Sequence, residues 1–181
     1  MTPDERAVMQ QSQRYSNWLS QKIYYSIVKK LQRSWTVKRG EVYFVDLGQN
    51  VGSEENKIRP VVVLQANAYN FKSPVFTCAI ISSSPVTIPD VQVPITGTYT
   101  YNDEHGTQKA LNGAIDLGQI KTIAKERIVT RKICTLVNEM TDVDVKLLNV
   151  FGLKPLLTKK DNTIQSLQGK VNFLTNKTNS P

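Results

Sequence analysis

Histidine and cysteine are scarce in this chain of 181 residues. The single histidine, His105, excludes a pair of histidines acting as acid and base within one subunit, and its polar, turn-like neighbours predict a solvated side chain. The two cysteines, Cys78 and Cys134, lie in apolar runs and form no CxxC motif or cysteine–histidine cluster. We therefore expect both to be reduced and buried, and we expect no zinc or other metal site.

Long apolar runs are also absent. No run approaches the roughly 20 residues that a membrane-spanning helix needs. The N-terminus carries Asp4, Glu5 and several glutamines where a signal peptide has its apolar core. These absences favour a cytoplasmic protein without a membrane partner. The length and a hydrophobic content of 40% are typical of one compact domain with extensions.

Acidic residues are in the minority. The chain has 23 lysines and arginines against 15 aspartates and glutamates, which gives a formal net charge of +8 at pH 7. Such an excess favours a polyanionic partner, which would be nucleic acid, an acidic protein or an anionic membrane surface.

Residues 1–36 are predicted to be a helical N-terminal extension. Apolar residues recur at helical spacing, at Tyr15, Leu19, Ile23, Ile27 and Leu31. The second half is basic, with Lys22, Lys29, Lys30 and Arg33. The pattern predicts an amphipathic helix that packs on the domain or on a second subunit, and a role at an RNA or membrane surface stays open.

Residues 37–153 are predicted to form the domain. Short β-rich segments at close spacing predict strands at 37–47, 59–65, 75–82, 91–95, 110–117 and 128–137. We also expect a turn or short helix at 67–73, a polar hairpin or loop at 99–108, and a helix capped by Thr141 that reaches Phe151 and ends at Gly152. This order predicts an α+β, mainly β fold: a small antiparallel barrel or half-barrel with helical cover.

Residues 154–181 are predicted to be a polar, basic tail that is partly helical or disordered. The apolar positions Ile164, Leu167, Val171 and Leu174 indicate one weak amphipathic helix that Gly169 interrupts. The last several residues are expected to be disordered.

One arginine stands at the mouth of a strand. Arg59 ends a polar, Gly-containing loop and is followed by Pro60, which favours an extended backbone at Arg59. The cluster 82–84, three serines, closes the next apolar run. A guanidinium and a hydroxyl at neighbouring strand ends are typical of a site that handles phosphate, because the planar, permanently charged fork fits two phosphate oxygens.

Several segments resemble, in order and spacing, the MazF/PemK family of toxin endoribonucleases from bacterial type II toxin–antitoxin systems. The resemblance spans about residues 38–153. Its pieces are Arg39-Gly40-Glu41-Val42-Tyr43, Asp46-Leu47, Gly52-Ser53-Glu54, Arg59-Pro60-Val61-Val62-Val63-Leu64, Tyr69-Asn70, Ser82-Ser83, Gln119-Ile120-Lys121-Thr122-Ile123 and the closing 147–153.

The resemblance implies an SH3-like barrel of the plasmid-maintenance toxin type and a homodimer. It further implies cofactor-free and metal-independent cleavage of single-stranded RNA, in particular mRNA, at a short motif. The ribose 2′-OH would attack the adjacent phosphate to give a 2′,3′-cyclic phosphate and a 5′-OH end. A cognate antitoxin with an acidic, disordered segment would occupy the RNA groove.

The resemblance also implies roles for residues of this chain. Arg59 and Ser82 would be catalytic. We expect Arg59 to stabilise charge on the phosphate, because a pKa above about 12 makes arginine a poor proton shuttle. Ser82 would donate to the phosphate or position the 2′-OH, although a strand-end serine also commonly bonds local backbone. The substrate-binding residues would be Gly52, Ser53, Glu54, Lys57, Tyr69, Ser83, Gln119 and Lys121.

Within this group, Gly52-Ser53-Glu54 would belong to a mobile lid, and Glu54 would fix the loop by a local bond rather than move protons. Gln119 would contact RNA or support the arginine. Many relatives carry an acidic residue where this chain has Gly118. Asp116, two residues earlier on the same side of the strand, would supply the missing carboxylate only if it reached the same site.

Two other functions remain open at this point. One is a non-enzymatic toxin on the same scaffold that inhibits a topoisomerase, since a fold does not fix a function. The other is a degenerate RNA-binding regulator, which is suggested by Gly118 because that residue departs from the family pattern.

Overall fold

The computed structural model describes residues 2–28, 36–103 and 105–178. Its elements are α1 (Pro3–Ile27), β1 (Glu41–Asp46), β2 (Ile58–Val63), α2 (Asn67–Asn70), β3 (Val75–Ser82), β4 (Gln92–Pro94), β5 (Thr100–Asn102), β6 (Gln108–Ala110), β7 (Ala114–Ala124), β8 (Cys134–Thr135), α3 (Glu139–Val150) and α4 (Lys154–Thr178). Residues 29–35, which hold Lys29, Lys30, Leu31 and Arg33 of the predicted basic helix, lie outside the described residues, as do 179–181 of the predicted disordered end.

Antiparallel pairing builds one large sheet. Its six strands follow the order β4-β7-β3-β2-β1-β8, and β5 and β6 form a separate hairpin that begins in the predicted polar segment 99–108 and extends two residues beyond it. Both faces of the sheet are buried: one carries Val45, Val61 and Ile80, and the other carries Val62 and Ile115. The second face is covered by α3, whose Val143 is fully buried. The predicted mainly β half-barrel with helical cover is confirmed.

The predicted strand 110–117 is wrong, because two elements occupy its place. Strand β6 ends at Ala110, and β7 begins only at Ala114 after Gly113 has turned the chain at φ +110°. A Cβ on Gly113 would lie 1.9 Å from the carbonyl oxygen of Ser82, so this close approach requires glycine. Strand β7 then continues to Ala124 because β3 pairs with it at both ends, over residues 114–116 and 120–124.

A bulge of three residues interrupts the β3–β7 ladder. Ala79 pairs with Ile120 while the next residue, Ile80, pairs with Asp116, so residues 117–119 of β7 have no opposite partner in the register. The Asp116 Oδ1 atom accepts the Gly118 N–H over 2.8 Å and holds the bulge. This bulge re-aims the residues that follow Gly118.

The predicted strand 128–137 is also wrong as a continuous strand. Only Cys134–Thr135 pairs in register with β1, and Ile128 forms an isolated bridge to Val45. Between them the Thr130 hydroxyl accepts the Phe44 N–H over 3.1 Å. A side chain thus replaces backbone pairing there, which breaks the ladder.

Helix α3 begins earlier than predicted and ends as predicted. It starts at Glu139 rather than after a Thr141 cap, and Asn138 at its N-cap makes no side-chain capping bond. The early start places the Glu139 carboxylate on the backbone N–H groups of Thr96 and Gly97. The helix ends at Val150, and Gly152 follows at φ +64°.

The N-terminal helix α1 packs on its own domain. Thr2 and Glu5 form a capping box at its start. Most of its side chains are exposed, but Tyr25 is buried and Trp18 is half-buried against the domain. The alternative of packing on the domain is therefore the one seen within this chain.

Helix α4 is continuous, so the predicted interruption at Gly169 is wrong. The helix runs from Lys154 to Thr178, and every side chain described between residues 151 and 175 is exposed. A glycine at an exposed helix position costs only about 1 kcal/mol relative to alanine. Among the described residues, no helix combines the length and apolarity that a bilayer crossing requires.

The two cysteines are free thiols, as expected. Burial raises the pKa of Cys78 to about 12 and that of Cys134, which is only half-buried, to about 11. Neither thiol is therefore activated as a thiolate at neutral pH.

Candidate active site

Arg59 and Ser82 come together at one end of the sheet. Val61 pairs with Ile80, and two residues further along the two antiparallel strands lie Arg59 on β2 and Ser82 on β3. Because side chains alternate along strands, both residues share the face of Val61 and Ile80, which belong to one core cluster. The predicted neighbourhood of guanidinium and hydroxyl thus follows from the register.

The loop between β1 and β2, residues 48–57, is the site loop. Its carboxylates pair with the cations of the site. Arg59 Nε donates to Glu55 Oε2 over 2.9 Å, and Lys121 Nζ on β7 lies 2.9 Å from Glu54 Oε2. Lys121 lies two residues before Ile123 of the same core cluster, so it shares the face of Arg59.

Gln119 fastens the site loop to the bulge of β7. Its Oε1 accepts the Glu55 N–H over 2.8 Å, and its Nε2 donates to the Ser53 carbonyl over 3.4 Å. The Gln119 side chain thus supports Arg59 indirectly, because it holds Glu55, which pairs with the guanidinium. Asp116 binds the Gly118 N–H, so its carboxylate serves the bulge.

An open cleft of about 520 Å³ separates the site loop from β7. Its lining residues are Val51, Ser53, Glu54, Gly118, Gln119, Ile120 and Lys121. Gly52 sits at the loop tip at φ +64° with open space where a Cβ would be.

Ser82 is half-buried and Ser83 is exposed. The Ser82 Oγ accepts the Ser84 N–H over 3.2 Å, which is the local backbone bond that a strand-end serine commonly makes. An accepting hydroxyl can still donate its own proton, so this bond fixes the oxygen without removing the donor.

Two predicted substrate-binding residues lie apart from this cluster. Tyr69, on α2, is 71% exposed and follows the end of β2 that is remote from Arg59. Stacking by Tyr69 would therefore need a subsite outside the cleft. Lys57 lies where the site loop ends, is exposed and has φ +63°. Its backbone closes the loop: the N–H donates to the Gly48 carbonyl over 2.7 Å.

Glu55 belongs to the site but was not among the residues predicted from the sequence. The only signal was its place in Glu54-Glu55, directly before the basic residues Lys57 and Arg59. Nothing in that pattern says which carboxylate meets which cation. The structure separates the pair: Glu54 faces β7 and Glu55 faces β2.

The fold and this cluster define a class: a small β half-barrel with an arginine and a serine at neighbouring strand ends and a lysine in the cleft beside the site loop. The profile of the family described as PemK-like, MazF-like toxin of type II toxin-antitoxin system matches residues 38–151. The chain belongs to this family.

Individual relatives agree. The chain is 40% identical over 106 residues to endoribonuclease EndoA of Bacillus subtilis (strain 168), covering 59% of this chain and 85% of the relative. It is 30% identical over 108 residues to endoribonuclease MazF of Staphylococcus epidermidis, covering 60% of this chain and 85% of the relative.

Solved structures share the fold. A mycobacterial endoribonuclease superposes with a TM-score of 0.51 at 19% identity, over 66% of this chain and 94% of that one. A mycobacterial endoribonuclease in complex with its cognate antitoxin gives 0.50 at 21% identity, over 65% of this chain and 97% of that one. The SH3-like toxin fold is confirmed by these neighbours.

Proposed function

We propose that this chain is the toxin of a toxin–antitoxin system and an endoribonuclease that cuts single-stranded RNA. The observation that carries the proposal is the placement of Arg59 and Ser82 on one face at neighbouring strand ends, with Arg59 paired to Glu55 of the site loop, whose Ser53 and Glu54 line the cleft. The relatives named as endoribonucleases support the activity.

The reaction takes its nucleophile from the substrate. The ribose 2′-oxygen forms a bond to the adjacent phosphorus, the bond from phosphorus to the 5′-oxygen breaks, the 2′-OH loses its proton and the 5′-oxygen gains one. The products are a 2′,3′-cyclic phosphate and a 5′-OH end, and no step needs a metal or cofactor.

In this reaction Arg59 binds the non-bridging phosphate oxygens, where negative charge develops. Ser82 donates its hydroxyl proton to the same phosphate or orients the 2′-OH. Lys121 and Lys57 bind neighbouring phosphates of the strand, and Gly52, Ser53 and Glu54 move with the loop as RNA enters.

We also propose that the chain acts in the cytoplasm as a homodimer and that an acidic antitoxin segment inhibits it. The site already binds carboxylates, since Arg59 and Lys121 pair with Glu55 and Glu54. Carboxylates of a second protein can replace these two by the same chemistry. The mycobacterial neighbour bound to its cognate antitoxin supports the assignment of partner.

The test is an RNA oligonucleotide with one 2′-deoxy residue at the mapped cleavage site. The purified protein should cut the all-ribose strand in EDTA, leave a 2′,3′-cyclic phosphate, and leave the deoxy-substituted strand intact. Cleavage of the substituted strand at the same bond would refute 2′-OH attack. Binding of the ribose strand without any cleavage would favour an RNA-binding regulator, and recovery of a topoisomerase without RNA cleavage would favour the non-enzymatic toxin.

A further inference from the structure

A network of contacts joins α1 to the base of the site loop. The Tyr25 hydroxyl donates to Asp46 Oδ2 over 2.8 Å, and Asp46 Oδ1 accepts the Gly48 N–H over 2.9 Å. Tyr25 is only 8% exposed. One carboxylate at the end of β1 therefore connects the N-terminal helix with the first residue of the loop.

Trp18 of α1 covers the same loop residue. Its indole lies so close to Gly48 that a Cβ there would be 2.2 Å from the ring. The Arg127 guanidinium stacks on the indole with its Cζ 5.1 Å from the ring centroid, while Arg127 Nε donates to the Asp46 carbonyl over 2.7 Å. Three side chains thus contact the base of the site loop: Tyr25 and Arg127 bind Asp46, and Trp18 packs on Gly48.

Gly48 is also where the loop closes. Its carbonyl accepts the Lys57 N–H over 2.7 Å, and the Lys57 carbonyl accepts the Leu47 N–H over 2.8 Å. A constraint on Gly48 therefore acts on both ends of the loop. The same loop carries Glu55, which binds Arg59 through its carboxylate and the Gln119 side chain through its N–H.

We propose that Trp18 and Tyr25 are positioning residues that clamp the base of the site loop and so hold Glu55 and the cleft in register with Arg59. Neither residue reaches the cleft, and both precede the family match that begins at residue 38. The clamp is a device that α1 adds to the toxin domain. Its effect on cleavage rests on the proposed function, whereas its effect on the loop does not.

Hydrogen exchange tests the clamp without any activity. Trp18→Ala and Tyr25→Phe are compared with Leu19→Ala and Tyr15→Phe, which alter exposed residues of the same helix. In the two clamp variants, the loop amides should exchange about tenfold faster, because Tyr25→Phe loses one hydrogen bond and Trp18→Ala loses the contacts with Gly48 and Arg127, while β3 and β7 keep their rates. Unchanged loop exchange in folded Trp18→Ala and Tyr25→Phe would overturn the proposal.

Steady-state cleavage of an RNA oligonucleotide tests the consequence. Trp18→Ala should lower kcat about ten- to a hundredfold, because small displacements at a site are costly, with KM within about twofold of wild type. Trp18→Phe keeps an aromatic ring over Gly48 and should restore most of kcat. An unchanged kcat, an effect confined to KM, or an equal loss in Leu19→Ala would each overturn the positioning role.

The two proposals fail separately. If the wild-type protein cuts no RNA, the proposed function falls, and loop exchange still decides the clamp. If the wild type cuts RNA and the clamp variants match it in exchange and kcat, the clamp falls alone. Should Trp18→Ala not fold, Tyr25→Phe, which removes a single oxygen, decides both measurements.

Discussion

The Arg59 guanidinium on β2 is bound by Glu55 of the site loop, four residues earlier in the chain, at 2.9 Å. The Arg59 side chain is 44% exposed, and ion pairs of this kind contribute about 0–1 kcal/mol. Such a pair holds the arginine in place at a small energetic cost to any competing anion. On the proposed function, a phosphate of the RNA would replace the Glu55 carboxylate at Arg59.

Glu55→Gln should therefore tighten RNA binding. Removal of the competing carboxylate should lower the Kd for an uncleavable, 2′-deoxy-substituted RNA by about two- to fivefold at low salt, which corresponds to the small ion-pair energy. Fluorescence anisotropy measures this change. Asp161→Asn is the matched control, since it removes one negative charge from exposed α4. An equal gain in the control would show that net charge alone is responsible.

Arg59→Ala should abolish toxicity and lower kcat/KM about 10²–10³-fold, the usual effect of losing a group that stabilises developing charge. Arg59→Lys should restore little, because an ammonium lacks the planar pair of donors. The melting temperature should not change, since the side chain is half-exposed. Arg131→Ala removes the same charge from another exposed arginine. Full activity of Arg59→Ala would remove it from the mechanism.

The stability of the folded protein should depend on pH through the carboxyl group of Glu139. Burial acts to raise the pKa of this carboxyl, but hydrogen bonds from the Gly97 N–H, the Tyr99 hydroxyl and the Thr96 N–H outweigh it, so the pKa is lowered. A lowered folded-state pKa means that this stabilisation is complete above the unfolded-state pKa of about 4.3 and is lost as the pH falls through the folded-state value.

Glu139→Gln should thus lower the free energy of unfolding by about 1–3 kcal/mol at neutral pH, and the difference from wild type should shrink in acid. Urea denaturation at a series of pH values measures it. A difference that stays constant with pH would mean that the carboxylate charge is not the cause.

The strands with a continuous apolar run were predictable from the sequence. Strand β3 lies where its apolar run predicted it. The polar clusters at the ends of β2 and β3 predicted that Arg59 and Ser82 lie at neighbouring strand ends, and the register agrees. Local pattern suffices there because each strand is buried on both faces and is bounded by polar residues.

The remaining features depend on contacts between distant segments. The bulge after Asp116 arises from the β3–β7 register, and the break near Thr130 arises from a side chain that bonds to β1. The contact of Trp18 with Gly48 joins residues from an extension and a loop, and neither segment carries a pattern that names the other. The periodicity of one segment does not encode which distant segment it will contact.

Helix α4 should be dispensable for the stability of the domain. A chain ended after Leu153 loses none of the side chains that the structure describes as buried, since all those described from residue 154 to residue 175 are exposed. A contribution below about 1 kcal/mol would shift the melting temperature by less than about 2–4 °C. Removal of residues 1–36 is the contrasting variant, because it deletes buried Tyr25 and should lower the melting temperature further. A large loss on removing α4 alone would show that the helix packs in solution on a surface of this chain or of a second copy.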